Sequence, residues 1–203
     1  GVIPVDMNQY ARMFSSTRLP RRGRDELHKA VAAAPMVPYI AVLRGSDFWK
    51  MPVLDAAGVP LSVLALEESL ERVCSDTPSS HSSTSSAAPA PSLAALTTMD
   101  RDSWADTRAL LAAHHPINAA SLAILDDALF HCCLDLGPPV DHDNDAAVRL
   151  ALCGHPTNAP RWFDKGITVM VSADGLPMGQ FEHSWGDGMC VRPPPAIACA
   201  RAH

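Results

Sequence analysis

The run Tyr39-Ile40-Ala41-Val42-Leu43 is apolar and partly β-branched, Gly45-Ser46-Asp47 has turn composition, and residues 48–54 return to apolar character. That pattern predicts a β-hairpin over 39–54, with Pro52 placing its second strand at an edge or ending it early. Ser62 can cap a helix over 63–74 that carries Leu66, Leu70 and Val73 on one stripe. A helix over 100–113 opens on Asp100 and Asp102 and sets Trp104, Leu110 and Leu111 toward the core. Asn118 can cap a helix over 119–133 in which Leu122, Leu125, Leu129 and Cys133 line up. A helix over 142–153 closes at Gly154. The alternation of Ile167, Val169 and Val171 is that of a strand. Ala173-Asp174-Gly175 then turns the chain into a second strand over about 177–183. Strands separated by helices make the expected class α/β, a mixed sheet with flanking helices.

Two stretches break the pattern. Residues 76–92 are dominated by Ser, Thr, Ala and Pro and bury almost nothing, so a surface loop is expected there. Residues 192–203 open with Pro193-Pro194-Pro195, which continues neither a helix nor a central strand, and an unstructured tail is expected.

Composition narrows the function classes. The chain has 203 residues, 47% of them apolar, enough for one domain with a real core. No apolar run approaches the roughly 18 residues of a membrane span. Gly1 to Asp6 have no basic or long apolar region and are not patterned as a signal peptide. A start without methionine is what an internal fragment or a processed product shows. The net charge of −6 argues against nucleic acid as a partner. Within residues 1–30, Arg12, Arg18, Arg21, Arg22, Arg24 and Lys29 outnumber Asp6, Asp25 and Glu26, which reads as a solvated basic loop. The six cysteines form neither a Cys-x-x-Cys pair nor a zinc or disulfide spacing, so free thiols are expected. Asp141-His142-Asp143-Asn144-Asp145 lacks the glycine and glutamate of a calcium loop, and no metal is expected.

The chemistry concentrates in Phe181-Glu182-His183-Ser184-Trp185-Gly186-Asp187-Gly188. A histidine exchanges protons near neutral pH. A carboxylate within hydrogen-bond reach fixes its tautomer and steadies its charged form. That is the minimum equipment for general-base catalysis on a hydroxyl or thiol. Ser184 lacks the Gly-x-Ser-x-Gly elbow of a nucleophile. Glu182 faces away from His183 if the strand continues, and reads as structural.

This octapeptide resembles the active-site signature of the carnitine/choline acyltransferases. Two further stretches agree in order and spacing: Asn8-Gln9-Tyr10-Ala11-Arg12-Met13-Phe14-Ser15-Ser16-Thr17-Arg18-Leu19-Pro20 and Arg161-Trp162-Phe163-Asp164-Lys165. The resemblance runs from Pro4 to about Val191. It implies a partial acyltransferase domain over 1–191, part of the first of two related domains of the coenzyme A-dependent acyltransferase fold. It implies His183 as the catalytic base and Asp187 as its acidic partner. Arg161, Trp162, Phe163, Asp164 and Lys165 are expected to form a buried, salt-bridged corner behind the catalytic strand, and Trp185 to pack. The implied reaction moves a long-chain acyl group between coenzyme A and carnitine. Both are substrates, and no cofactor is expected. The Ser-Trp-Gly-Asp-Gly version further implies a location on the matrix side of the mitochondrial inner membrane, in peripheral contact with it. Other carnitine or choline acyltransferases, and an inactive truncated fragment, are the alternatives. The family's coenzyme A and carnitine contacts are expected in a half that this stretch does not contain.

Overall fold

The computed structural model describes residues 9–30, 37–76, 92–136, 144–154 and 161–187. Residues 77–91, the Pro-rich tail, Asp141 to Asp143 and everything beyond Asp187 lie outside the described residues.

The chain starts with a short 3-10 turn at Tyr10–Arg12 and a hairpin of β1 (Ser16–Leu19) and β2 (Glu26–Lys29). A hairpin replaces the expected loop, while Arg12, Arg21, Arg22 and Arg24 are exposed, as a solvated basic stretch implies. The hairpin brings carboxylates to the arginines, pairing Arg18 with Asp25 at 3.1 Å, Arg21 with Glu26 at 2.9 Å and Arg22 with Asp106. A second hairpin joins β3 (Tyr39–Arg44) to β4 (Asp47–Pro52). Gly45, at φ +63°, takes up a left-handed position in its two-residue turn. Pro52 is the last residue of an edge strand, where its missing N–H costs no ladder bond.

Helix α1 (Val63–Ser75) is capped as expected: the Ala65 N–H donates to Ser62 Oγ at 3.3 Å. Helix α2 (Arg101–His114) is capped by Asp100, which accepts the Ser103 N–H at 3.0 Å. Trp104 is buried, but Leu110 is 72% exposed, against expectation. Six residues at 100° each carry it to a different face, whereas Leu111 returns to the core side.

The next element differs more. Helix α3 spans Pro116–Asp127, capped by the His115 ring, whose Nδ1 accepts the Ile117 N–H at 3.1 Å. Asn118 lies inside the helix and donates to the Leu111 carbonyl at 3.0 Å. Ala128 turns extended, and His131–Leu134 form strand β5, not the last turn of a helix. Cys133 does reach the core, but through strand geometry, and Leu129 reaches it from the bend that precedes β5. Tertiary pairing on both sides of this four-residue stretch overrides its helical spacing. Helix α4 (Asn144–Cys153) ends at Gly154, φ +72°. Strands β6 (Ile167–Val171) and β7 (Pro177–Phe181) are the last of the described elements. The second stops two residues short of His183.

The sheet order is β4-β3-β5-β6-β7. Strands β3, β5 and β6 run parallel, and the outer strands β4 and β7 are antiparallel to their neighbours. The mixed α/β class is as expected. Alternation along β3 divides the core. Tyr39, Ala41 and Leu43 join Trp104, Leu122, Leu125 and Trp162 on the face under α2 and α3. Ile40 and Val42 join Met51, Val73 and Leu129 on the face under α1. No helix among the described residues is long and apolar enough to cross a membrane.

Candidate functional site

Residues 182–187 leave the edge strand β7 as an irregular loop. Its first residue still follows the ladder, the Glu182 N–H donating to the Gly166 carbonyl at 3.1 Å. Trp185 folds inward, is buried, and donates its Nε1–H to the same carbonyl at 2.8 Å. Room for that indole exists because residue 166 is glycine: a Cβ there would meet the Ser16 carbonyl at 3.0 Å and Trp185 Cδ1 at 3.1 Å. Trp185 is thus packing, as expected.

His183 and Asp187 both lie on this loop and both are exposed. The chain does not turn helically between them. The Asp187 N–H instead donates to Gln9 Oε1 at 2.9 Å. Glu182 points away from the histidine, accepting from Arg18 Nη1 at 3.1 Å and from the Ser184 N–H at 2.9 Å. It also accepts the Ser184 hydroxyl, which occupies that proton. The arrangement presents one imidazole to solvent beside a carboxylate four residues on.

Behind the loop lies the corner formed by 161–165. Arg161 grips Asp135 through two nitrogens at 2.5 and 2.7 Å, and donates to the Leu150 carbonyl at 2.9 Å. Asp164 accepts from Arg101 Nη1 and from Trp104 Nε1, each at 2.7 Å. Burial pushes the Asp164 carboxyl up, and those two donors pull it back. Lys165 Nζ donates to the Asp126 carbonyl at 2.6 Å and to Thr17 Oγ1 at 3.1 Å. Desolvation brings Lys165 down to about 7, against the pull of Asp126 and Asp127. Asp126 itself is pushed up by burial while Arg108 holds its carboxylate. His131 is held to about 3 by burial first and Lys165 second, so its imidazole is neutral. It is a core histidine whose Nε2–H donates to the Leu125 carbonyl at 3.0 Å.

The buried corner is as expected, but its partners Asp135, Arg101, Asp126 and Thr17 were not foreseen. Gln9 was also missed, and no local signal could identify it, 178 positions before its partner. A cavity of about 270 Å³ among Ala41, Phe48, Trp49, Ser121, Ile124 and Leu125 includes no residue of the His183 loop. Among the described residues, no three His, Cys, Asp or Glu side chains gather as metal ligands would.

The family model described as choline/carnitine o-acyltransferase matches residues 2–193. Carnitine O-palmitoyltransferase 2, mitochondrial, of Homo sapiens is 40% identical over 191 residues, covering 93% of this chain and 26% of the relative. Its Rattus norvegicus counterpart is 37% identical over 188 residues, covering 93% and 26%. A putative mitochondrial carnitine O-acetyltransferase of Saccharomyces cerevisiae is 30% identical over 211 residues, covering 94% and 30%. The chain therefore spans about a quarter of the length of these relatives. The match extends across all three sequence motifs and the whole described sheet, and the chain belongs to the choline/carnitine O-acyltransferase family.

Proposed function

We propose that the protein transfers an acyl group between coenzyme A and carnitine, with His183 as general base. The observation that carries this reading is the exposed His183 imidazole on an anchored loop at the sheet edge, in a chain of this family. The base takes the proton of the carnitine hydroxyl, and the oxygen attacks the acyl carbonyl of the thioester. A C–O bond forms, the C–S bond breaks, and the proton passes from the imidazolium to the departing sulfur. The reverse direction starts from the coenzyme A thiol, and no acyl-enzyme forms. Asp187 is the acidic partner in this reading. Catalytic hydrogen bonds commonly tighten only with substrate bound.

A palmitoyl-length chain is the proposed acyl group, and a mitochondrial location is proposed with it. Both are supported by the names of the two mammalian relatives. Peripheral contact with the matrix side of the inner membrane belongs to the same proposal. The test is formation of acylcarnitine from carnitine with palmitoyl- or acetyl-coenzyme A, followed by mass spectrometry, beside His183→Ala. Transfer should favour palmitoyl and fall by about 10²–10⁴-fold in the variant. Equal activity in both proteins, or none with either thioester, overturns the reading.

A further inference from the structure

A six-residue loop with glycines on either side of Asp187 in the sequence has many conformations open to it. A general base must nevertheless meet its hydroxyl within a few tenths of an ångström, because a 1 Å misplacement costs up to about 10²-fold in rate. Something must therefore narrow the ensemble of residues 182–187. Trp185 fixes the middle from below. The two ends are fixed from elsewhere in the chain, by the segment that precedes and enters β1.

At the first end, Arg18 binds the Glu182 carboxylate at 3.1 Å. Glu182 in turn accepts the Ser184 N–H, so both backbone neighbours of His183 are tied to one carboxylate. Arg18 is itself braced: Asp25 pairs with both Arg18 and Arg101, at 3.1 and 2.8 Å, and Arg101 reaches the buried Asp164 at 2.7 Å. At the second end, Gln9 Oε1 receives the Asp187 N–H at 2.9 Å. The same oxygen would stand 3.1 Å from a Cβ at residue 186, so the glycine there lets the amide approach.

We propose that Gln9 and Arg18 are positioning residues for His183, clamping the two ends of its loop; this rests on the functional reading above. Neither touches a reacting atom, so their removal disturbs the placement of the base and leaves substrate binding alone.

The test compares Gln9→Met and Arg18→Met in the purified protein, beside His183→Ala. Each should lower kcat on the order of 10-fold, with KM for carnitine within about twofold of the parent. Gln9→Glu, which keeps the acceptor oxygen, should restore most of the lost kcat. Amide hydrogen exchange should quicken over 182–187 and stay unchanged in β6. Faster loop exchange with unchanged kcat overturns the proposal. So does a rise in KM at constant kcat, or exchange that quickens equally in β6, since that reports general loosening. Loss of transfer in His183→Ala alone keeps the functional reading and removes the positioning role; full transfer in His183→Ala removes both.

Discussion

Replacing Lys165 with methionine should flatten the dependence of stability on pH between about 7 and 10. The ammonium is buried between β1, α3 and β5, facing Thr17, Asp126, Asp127 and His131, with Arg108 pairing Asp126 from α2. In the folded protein it gives up its proton near 7, whereas an unfolded lysine holds it to 10.5. Between those values the unfolded chain binds one more proton, so stability rises with pH, at a limiting slope of about 1.4 kcal/mol per pH unit. Over roughly three and a half units the gain is at most about 5 kcal/mol, and it is absent below pH 7, where the folded protein bears the full cost of a buried charge. Methionine has nearly the same length and no charge to bury. It leaves the Asp126 carbonyl satisfied, because the Thr17 hydroxyl already donates to it at 2.8 Å. The variant should therefore match or exceed the parent at pH 6 and fall behind it by pH 9–10. Urea unfolding followed by tryptophan fluorescence at a series of pH values measures this. Groups common to both proteins cancel in the difference. Parallel curves for the two proteins would refute the reasoning, as would a variant more than about 1 kcal/mol weaker at pH 6.

Two further outcomes follow from packing and exposure. Gly166→Ala drives a methyl into the Ser16 carbonyl and the Trp185 indole, so it should cost about 1–3 kcal/mol. An unchanged thermal midpoint would sink that account. Cys74 and Cys153 are exposed and should alkylate in the folded protein, whereas Cys133, buried and pushed up to about 12, should alkylate only after unfolding. Peptide mass spectrometry after iodoacetamide treatment reads this, and labelling of Cys133 as fast as Cys74 would contradict the placement of β5.

Legibility in the sequence tracked how local each cause is. The β3–β4 hairpin was readable because its glycine turn, its apolar runs and Pro52 all act within a few residues. Caps at Ser62 and Asp100, and the glycine ending α4, are equally local. Strand β5 was not readable. His131-Cys132-Cys133-Leu134 is too short to show its period, and the spacing of Leu125, Leu129 and Cys133 imitates a helix. Only the parallel partners Ala41–Arg44 and Thr168–Val171 make it a strand, and those lie far away in the chain. Leu110 differs for another reason: six residues on from Trp104, at 100° each, it falls off the buried stripe that Trp104 and Leu111 share.

The candidate site divides along the same line. A histidine and an aspartate four residues apart, ringed by glycine, announce proton chemistry from eight adjacent letters. Four adjacent charged or aromatic residues at 162–165 announce a buried corner, because such side chains can be packed only if partners meet them. The partners themselves are unannounced: Thr17 lies 148 positions from Lys165, and Arg18 lies 164 from Glu182. Each is an ordinary threonine or arginine until the sheet assembles. The consequence is that the motif and its working geometry have different origins. In the function proposed above the octapeptide supplies a base, and the hairpin of β1 and β2, through Arg18 and Glu182, supplies the lever proposed to hold that base still. A fault in that hairpin would therefore register as lost turnover at a histidine it never touches.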